Sequence, residues 1–314
     1  MTATPHSAKE FDIVVPGSIA NLGPGFDTLA VAVTLYLRLH VKRVPGQNRM
    51  EFHFVDQPLQ GENYIERAFR FLVANNGNSF PAVSVDVHSE IPMRAGLGSS
   101  AAATVAGLRL YETLCAPLAP EMLLKAGCAL EGHPENAAAS LLGGLTASCE
   151  LQDGSAHAVH FRWPDSLGFV VLTPRVGLAT SESRGVLPNL VSRSDAVFNL
   201  QRLALLLKSL EDGDLALIRQ ALHDRLHQPF RQAVVPGLQK ALDLEHEALL
   251  GVCLSGAGPS LVALAVDRQQ EVAELLASNY RSLGIDFEIR TLEVHQPDGK
   301  RPTGMREKRC DVCA

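Results

Sequence analysis

The sequence lacks a long apolar segment, a block of like charge and a secretion signal, and each absence excludes a class of protein. Its most apolar helix-like stretch, 197–210, is interrupted by Arg202 and Lys208, so we expect no membrane span and no membrane partner. The net charge of -6 comes from 28 basic and 34 acidic residues that form no long runs, which disfavours a nucleic-acid partner. The first ten residues are mixed and polar, so we expect a cytoplasmic protein.

Cysteine is also sparse, with six residues in a chain of 314. In the absence of a secretion signal, these are expected to be reduced thiols. Four lie among apolar residues and are predicted to be small core residues: Cys115, Cys128, Cys149 and Cys253. The remaining two, Cys310 and Cys313, form a lone C-x-x-C, a poor metal-site signature, within a polar tail over 297–314 that we predict to be disordered.

The first half of the chain alternates between strand and helix patterns. Period-2 and helical periodicities predict strands at 11–15, 31–42, 83–88 and 145–151, and helices at 62–76, 101–114 and 121–130. A Gly/Pro-rich segment at 16–25 is predicted to be a loop. Long alternating strands mixed with helices indicate an α+β layered domain with mainly antiparallel pairing.

The second half of the chain has a different order of predicted strands and helices. Its patterns predict strands at 168–172, 252–254, 261–266 and 285–289, two helices near 197–207 and 215–222, and a third at 271–283. This order, β-α-α-β-β-α-β, is that of a ferredoxin-like split βαβ with one extra helix. Breaks in the pattern at 153–155 and 163–164 place the domain boundary so that the domains cover 1–163 and 164–296.

A Gly/Ser segment lies between a predicted strand and an Ala-rich helix: Pro92-Met93-Arg94-Ala95-Gly96-Leu97-Gly98-Ser99-Ser100-Ala101-Ala102-Ala103. Its glycines allow close approach of the backbone to a ligand, and the first N–H groups of the helix are unpaired, which together favour a phosphate cradle. No lysine follows the glycines, so the segment is not a Walker A loop. The alternative is an ordinary turn that begins the helix.

Two other glycine-rich turns accompany this segment. In 16–27, Asn21 and Asp27 offer an amide and a carboxylate, either to a ligand or to their own backbone in a structural turn. The turn at 255–260 lies between two apolar runs, and by itself it favours a simple hairpin.

The segment Glu131-Gly132-His133-Pro134-Glu135-Asn136 follows a predicted helix. Its side chains can supply a metal ligand and substrate contacts, and its oxygen donors suit Mg²⁺. Zinc is disfavoured because no second His or Cys cluster lies at ligand spacing. The alternative is a solvated helix terminus capped by Asn136 or His133.

Arginines near Pro/Ser-rich turns are a further candidate for ligand binding. Arg184 and the Arg225…Arg231 segment can bind a carboxylate bidentately, although most exposed arginines do not.

Together, the three glycine loops in this order resemble the GHMP kinase superfamily, which phosphorylates hydroxyls of small molecules such as galactose, homoserine and mevalonate. The segments 18–27, 131–136, 180–184 and 227–231 are similar in particular to the homoserine kinase family. The resemblance spans residues 11 to about 290. It departs from the family pattern at Glu135, where Asp is usual and the charge is retained, and at Ile19, where a small residue is usual.

The resemblance implies an α+β N-terminal domain with a left-handed βαβ crossover and a ferredoxin-like C-terminal domain, with ATP between them. It implies ATP-dependent phosphorylation of L-homoserine to O-phospho-L-homoserine, in threonine biosynthesis, and leaves a homodimer open. The alternatives are another small-molecule GHMP kinase and a non-catalytic GHMP ligand sensor. Paired arginines disfavour a neutral sugar substrate, and an intact metal site disfavours a sensor.

The resemblance also assigns roles to individual residues. The expected ATP-binding residues are Asn63, Pro92, Met93, Arg94, Ala95, Gly96, Leu97, Gly98, Ser99, Ser100, Ala101 and Ala102. The expected homoserine-binding residues are Asn21, Asp27, His133, Asn136, Arg184 and Arg231, with Asp27 on the ammonium and both arginines on the carboxylate. The expected Mg²⁺ ligands are Glu131 and a serine of the pair Ser99 and Ser100. The catalytic set is Asp27, Asn136 and Glu131. Phosphoryl transfer depends mainly on positioning and charge, so whether Asp27 is a general base stays open.

Overall fold

The computed structural model describes residues 9–56, 58–59 and 61–296, which form two sheets with helices packed against them. The tail over 297–314, with Cys310 and Cys313, lies outside these residues, so its predicted disorder stays a prediction. In the described part of the chain, no helix has the length and apolar character needed to cross a membrane.

The first sheet has strand order β3-β4-β2-β5-β6, with β1 paired to β2. Its strands are β1 (Glu10–Ala20), β2 (Leu29–Gln47), β3 (Met50–Phe54), β4 (Pro81–Ser89), β5 (Leu145–Glu150) and β6 (Ala156–Phe161). All pairs are antiparallel, as predicted, except β3 with β4. Those two parallel strands are joined by α1 (Tyr64–Asn76), which gives the βαβ unit that the family resemblance implies.

β1 is longer than the sequence suggests, because the loop predicted from residue 16 begins only after Ala20. The pairing register with β2 shifts between Pro16 and Gly17. Such an irregularity accommodates a proline, which has no N–H to donate to the sheet. The continuation of β1 carries Ser18 beneath the glycine segment, where its N–H donates to the carbonyl of Leu97 at 3.1 Å.

The helices of the first half are α1, α2 (Ser99–Leu114), α3 (Pro120–Glu131) and α4 (Glu135–Leu142). α1 and α2 cross closely at Gly107, where an added Cβ would lie 2.2 Å from the carbonyl oxygen of Ile65. Only a glycine permits this approach, because any larger residue would push the two backbones apart. The close packing brings the N-terminal end of α1 beside the C-terminal end of α3, where Arg67 donates to the carbonyl of Leu130.

The second sheet is antiparallel, with strand order β10-β7-β9-β8. Its strands are β7 (Leu167–Pro174), β8 (Leu249–Leu254), β9 (Leu261–Val266) and β10 (Phe287–Leu292). Its helices are α5 (Thr180–Gly185), α6 (Arg193–Asp212), α7 (Leu215–Ala221), α8 (Gln228–Arg231), α9 (Leu238–Leu242) and α10 (Gln269–Arg281). The ferredoxin-like prediction is confirmed, but the predicted single extra helix is wrong. The helices α5, α8 and α9 have only 6, 4 and 5 residues, too few to show a periodic pattern.

The chain crosses between the two sheets twice. β6 ends at Phe161 and β7 begins at Leu167, and we propose the domain boundary between them. After β10 the chain returns to the first sheet: Val294 bridges Val33, and the N–H of His295 donates to the carbonyl of Ala32 at 2.9 Å. The end of the predicted C-terminal domain is therefore paired with the N-terminal sheet.

One sequence expectation about burial is wrong. Of the four predicted core cysteines, Cys128 and Cys253 are buried and Cys115 is half-buried, whereas Cys149 is exposed. Cys149 lies near the end of β5, where both it and Glu150 are exposed because the strand runs out beyond the core. On α6, Leu200 is 66% exposed, whereas Leu206 and Leu210 are buried.

Candidate active site

The three glycine segments, far apart in the sequence, meet in one cluster. The N–H of Gly256 donates to the carbonyl of Ala20 at the end of β1, at 3.1 Å. The hydroxyl of Ser255 donates to the carbonyl of Gly96 at 2.6 Å, and the N–H of Ser260 donates to that of Ala95 at 3.2 Å. The glycine loop of residues 92–98 is thus clamped between the end of β1 and the turn at 255–260.

Gly96 and Gly98 are glycines for reasons of both conformation and space. Their φ angles are +76° and +73°, in the left-handed region that L side chains rarely adopt. An added Cβ would lie 2.3 Å from the carbonyl oxygen of Ser255 at position 96, and 2.2 Å from the hydroxyl of Ser18 at position 98. The loop therefore owes its shape to backbone contacts that no larger residue allows.

α2 begins at Ser99, two residues earlier than the sequence predicts, and its cap residue Gly98 has no side chain to bond the first turn. Its N–H groups before Ala102 have no partner within the helix, because the N–H of Ala102 is the first to reach back, to the carbonyl of Gly98. The helix dipole adds partial positive charge at this end. The loop and helix together offer what an anionic phosphate requires.

Glu131, at the end of α3, lies against the first turn of α2. Its Oε2 accepts from the hydroxyl of Ser100 at 2.7 Å, and its Oε1 accepts from that of Thr104 at 2.5 Å. The side chain is only 5% exposed, and a guanidinium nitrogen of Arg67 lies 3.8 Å away. Of the two candidate serines, it is therefore Ser100 that pairs with Glu131.

A second cluster consists of charged groups. Asp27 and Arg184 form a bidentate ion pair, with Nη1–Oδ2 and Nη2–Oδ1 distances of 2.9 and 2.7 Å. Both side chains are about one-third exposed, at 33% and 36%. The hydrogen bonds to Asp27 raise the pKa of Arg184. Asp27 was predicted to bind the ammonium of the substrate and Arg184 its carboxylate. In this structure the two side chains bind each other.

Arg231, on α8, is fully buried, in contrast to an ordinary surface arginine. It donates to the carbonyls of Gly256 at 3.0 Å and Ser183 at 3.4 Å. Burial, followed by repulsion from Arg184, lowers its pKa to about 10, so it is still charged at neutral pH. A buried cation held mainly by neutral carbonyls is costly, and it favours an anionic ligand.

His227 fixes the orientation of Arg231. Its Nδ1 accepts from Nη1 of Arg231 at 2.9 Å, so its Nε2 carries the proton and donates to the carbonyl of Gly23 at 2.8 Å. Burial lowers the pKa of His227, which favours this neutral form. The carboxylate of Asp224 accepts from the backbone N–H groups of His227 and Gln228, at 3.0 and 2.7 Å, and anchors the start of α8.

Phe26 lies beside both arginines. Its ring stacks on that of His227, with 5.1 Å between centroids. The guanidinium carbons of Arg184 and Arg231 lie 5.7 and 5.3 Å from its centroid, within the range of cation–π attraction. One aromatic ring therefore helps to hold two like charges close together.

A polar chain links the two clusters. Ser18 donates to Oδ1 of Asn136 at 2.8 Å, and Nδ2 of Asn136 donates to Oε1 of Glu135 at 2.8 Å. Nδ1 of His133 lies 2.9 Å from the same oxygen, and this contact raises the pKa of His133. Gly98 packs against Ser18 at one end of this chain, and at the other end His133 interacts electrostatically with Arg184 and Asp27, so the charged cluster and the glycine loop are parts of one continuous site.

Two family models match the chain, those of the GHMP kinases N terminal domain at residues 63–144 and the GHMP kinases C terminal at 206–285. A homoserine kinase from Solibacter usitatus is 37% identical over 282 residues, 87% of this chain and 91% of that protein. A homoserine kinase from Deinococcus radiodurans is 41% identical over 262 residues, 81% and 84% of the two chains. The chain belongs to the homoserine kinase family.

The fold of this GHMP kinase agrees with that assignment. A crystal structure of homoserine kinase from Cytophaga hutchinsonii matches with a TM-score of 0.84, covering 95% of this chain and 99% of that one. At 23% sequence identity, the match supports the fold alone. The two-domain GHMP kinase fold, predicted from the sequence, is therefore confirmed.

Two predicted site residues, Asn63 and Asn21, make hydrogen bonds to backbone groups of this chain. Oδ1 of Asn63 accepts from the N–H groups of Ile65 and Glu66, so Asn63 caps α1. Asn21 accepts from the N–H of Asp27 at 3.1 Å and donates to the carbonyl of Gly256 at 2.9 Å. Their ligand contacts stay predictions. The hypothesis that Asn136 or His133 caps a helix is wrong, because α4 has no side-chain cap.

The glycine-loop residues also divide into two groups. Pro92, Met93 and Arg94 lie on the outer part of the loop, with Met93 and Arg94 exposed. Ala95, Leu97, Ala101 and Ala102 are buried in the core, so their side chains are not available to a ligand. Any contact of these four residues with ATP must therefore be made by backbone atoms.

The sequence interpretation missed Thr104, Arg67, Phe26, Ser18, Glu135, His227 and Asp224 as site residues. A signal existed for Thr104, which lies four residues after Ser100 and so on the same face of α2. Glu135 and His227 lay inside quoted motifs without an assigned role. Arg67 had no such signal, because its contact with Glu131 depends on how α1 and α3 pack.

Proposed function

We propose that this protein transfers the γ-phosphoryl group of ATP to the δ-hydroxyl of L-homoserine, giving O-phospho-L-homoserine and ADP in threonine biosynthesis. The observation that carries the proposal is the continuity of the Asp27–Arg184–Arg231 cluster with the glycine loop, in a chain whose relatives are named homoserine kinases. The loop suits a phosphate, and the cluster suits a zwitterionic amino acid.

Homoserine would bind by exchanging partners with the Asp27–Arg184 ion pair. Its α-ammonium would take Asp27, and its α-carboxylate would take Arg184 and the buried Arg231. Every charge then keeps an opposite charge beside it, which limits the desolvation penalty. Both oxygens of Asp27 already accept from Arg184, so we propose substrate orientation as its role.

The phosphates of ATP would lie against the loop 92–98 and the N-terminus of α2. Ser100 and Glu131 fit a hard cation such as Mg²⁺, because both offer oxygen atoms and these lie 2.7 Å apart. The described residues hold no group of three or more His, Cys, Asp or Glu side chains arranged to hold a metal ion, so the cation would share its coordination with phosphate and water. When bound, Mg²⁺ would neutralise charge on the phosphates.

Catalysis would then depend on how the chain positions the two substrates. Asn136 is held at both ends of its amide, by Ser18 and Glu135, and lies beside Gly98. We propose that it orients the δ-hydroxyl toward the γ-phosphoryl group. Such positioning, together with charge stabilisation, supplies most of the catalysis in phosphoryl transfer.

A coupled ADP-release assay with homoserine, mevalonate, shikimate and galactose tests the proposal. We expect efficient turnover of homoserine alone. Turnover of another alcohol without homoserine would retain the fold assignment and reject the substrate. Binding of homoserine with no turnover of any alcohol would instead favour a ligand sensor.

Arg184→Lys is expected to weaken homoserine binding more than ATP binding. Lysine keeps the charge but loses the planar fork, so a bidentate carboxylate contact becomes a point contact, at a cost of about 1–3 kcal/mol. Steady-state kinetics should show a raised KM for homoserine and an unchanged KM for ATP. Arg175→Lys, on an exposed arginine, is the matched control. Equal weakening of both substrates would place Arg184 outside the amino-acid pocket.

Two substitutions at His227 separate its two hydrogen bonds. His227→Gln can still donate toward Gly23 but offers Arg231 no acceptor at the Nδ1 position, whereas His227→Asn keeps that acceptor and loses the donor. If His227 positions Arg231, the Gln variant should raise the KM for homoserine about tenfold, with little change in kcat, and the Asn variant should stay closer to wild type. Kinetics and thermal unfolding should be measured together. KM values that merely follow the loss of stability in both variants would make His227 only structural.

We further propose a cytoplasmic location, which supplies ATP and the reducing conditions that suit unpaired thiols such as Cys128 and Cys253. Self-association into a homodimer, which the family resemblance leaves open, is likewise a proposal.

A further inference from the structure

The side chain of Asn199, on the long helix α6, is buried against the rest of the protein. It is 2% exposed and lies on the same side of the helix as the buried Leu206 and Leu210. Ser209 is also buried there, but its hydroxyl donates to the carbonyl of Leu205 within the helix. Asn199, in contrast, bonds to two other segments of the chain, and both of them carry residues of the candidate active site.

The first of these segments contains Asp224, the carboxylate that anchors the start of α8. Nδ2 of Asn199 donates to Oδ1 of Asp224 at 2.8 Å, and the N–H of Arg225 donates to Oδ1 of Asn199 at 2.9 Å. The side chain of Asp224 is fully buried, so its negative charge depends on the hydrogen bonds that it accepts. Asn199 therefore helps to fix the segment that leads into α8 and to Arg231.

The second segment is the loop of residues 21–27, which ends at Asp27. Nδ2 of Asn199 donates to the carbonyl of Pro24 in this loop, at 3.3 Å. The carbonyl just before it accepts from Nε2 of His227, at 2.8 Å. The loop is thus held at two consecutive carbonyls, one from the start of α8 and the other from α6.

We propose that Asn199 is a positioning residue for the amino-acid substrate. It holds the loop that carries Asp27 and the segment that carries Arg231 at the separation that the ammonium and the carboxylate of one amino acid require. This role rests on the proposed function, because it takes homoserine as the ligand of these two side chains. Asn199 acts on the substrate through the two segments and not by direct contact.

The three hydrogen bonds of Asn199 explain why an amide is needed at this position. A carboxamide has two N–H donors and a carbonyl acceptor. In Asn199 the nitrogen serves Asp224 and Pro24, while the oxygen serves the N–H of Arg225. A carboxylate could not donate to either acceptor, and a hydroxyl has a single hydrogen to donate.

Steady-state kinetics of Asn199→Ala test the proposal. We expect the KM for homoserine to rise about tenfold, with kcat within about twofold of wild type and an unchanged KM for ATP. Ser209→Ala is the matched control, since it removes another buried polar group from α6. The control should lose stability in thermal unfolding and keep the wild-type KM for homoserine.

Inhibition by L-2-aminobutyrate gives a readout that does not depend on catalysis. This compound has the ammonium and carboxylate of homoserine but no hydroxyl to phosphorylate. Its inhibition constant should rise in Asn199→Ala by the same factor as the KM for homoserine, because the positioned groups bind the part that the two compounds share. If Asn199→Ala does not fold, Asn199→Ser is judged by the same criteria, with a smaller rise expected.

The outcomes separate this role from the proposed function. Absence of homoserine turnover in wild type would overturn both. Turnover by wild type, with Asn199 variants that lose stability but keep the KM for homoserine and the inhibition constant, would leave Asn199 as a structural residue only. A KM for ATP that rises as much as the KM for homoserine would also overturn the proposal, since Asn199 would then not act on the amino-acid site in particular.

Discussion

Glu131→Gln is expected to lower kcat by about 10²–10³-fold while leaving the fold intact. Glutamine has the same shape, and the hydroxyls of Ser100 and Thr104 can rotate to bond an amide as they bond the carboxylate. What is lost is the negative charge that would hold a divalent cation against the phosphates. Since that charge matters most as the phosphoryl group is transferred, the loss should appear in kcat rather than in KM for homoserine.

The measurement is kcat as a function of Mg²⁺ concentration, together with thermal unfolding. Glu121→Gln, in the first turn of the same helix and exposed, is the control for a lost carboxylate on α3. If the Glu131 variant kept a near-normal kcat at moderate Mg²⁺, Glu131 would be only a structural link between α3 and α2.

Gly96→Ala is expected to disrupt both stability and ATP binding. The new Cβ would lie 2.3 Å from the carbonyl oxygen of Ser255 and 2.9 Å from that of Gly258, and both are backbone atoms that cannot rotate away. The glycine loop and the turn at 255–260 must therefore separate. We expect a loss of about 2 kcal/mol or more in the free energy of unfolding, and a raised KM for ATP.

Gly77→Ala separates this clash from backbone strain. Gly77 caps α1 with a similar φ of +67°, but nothing lies within 4 Å of its added Cβ. It should therefore lose only the cost of a left-handed alanine, about 1–2 kcal/mol, with normal kinetics. Urea denaturation and steady-state kinetics on both variants give the comparison. If both variants lost the same stability and had the same kinetics, the contact with the 255–260 turn would not be what requires a glycine at position 96.

The parts of the site that the sequence predicts are those whose chemistry is local. The glycine loop depends on residues within one short segment. Its positions of positive φ can be predicted because glycines occupy them in the sequence. The acid–arginine cluster was also predicted, but only as separate ligand contacts. Its direct Asp27–Arg184 ion pair joins residues 157 positions apart, a separation that no spacing rule predicts.

The same limit explains the residues that were missed or misplaced. The contacts of Arg231 depend on α8, a helix of 4 residues whose position is set by Asp224 rather than by periodicity. The helix α6 was predicted from its period, but a period cannot say which of two apolar sides is covered. For Asn63 the residue type itself is ambiguous. An asparagine can cap a helix or contact a ligand, and in this structure Asn63 caps α1.

The return of the chain to the first sheet after β10 restricts how the two domains can move relative to each other. A domain joined through a single linker can swing and twist in any direction. Here the connection at 162–166 and the pairing of Val294 with Val33 tether the second domain at two separate places. If the other contacts between the domains release, we expect any motion of one domain against the other to be a rotation about an axis through these two places. Residues 293–295 would form one end of that axis.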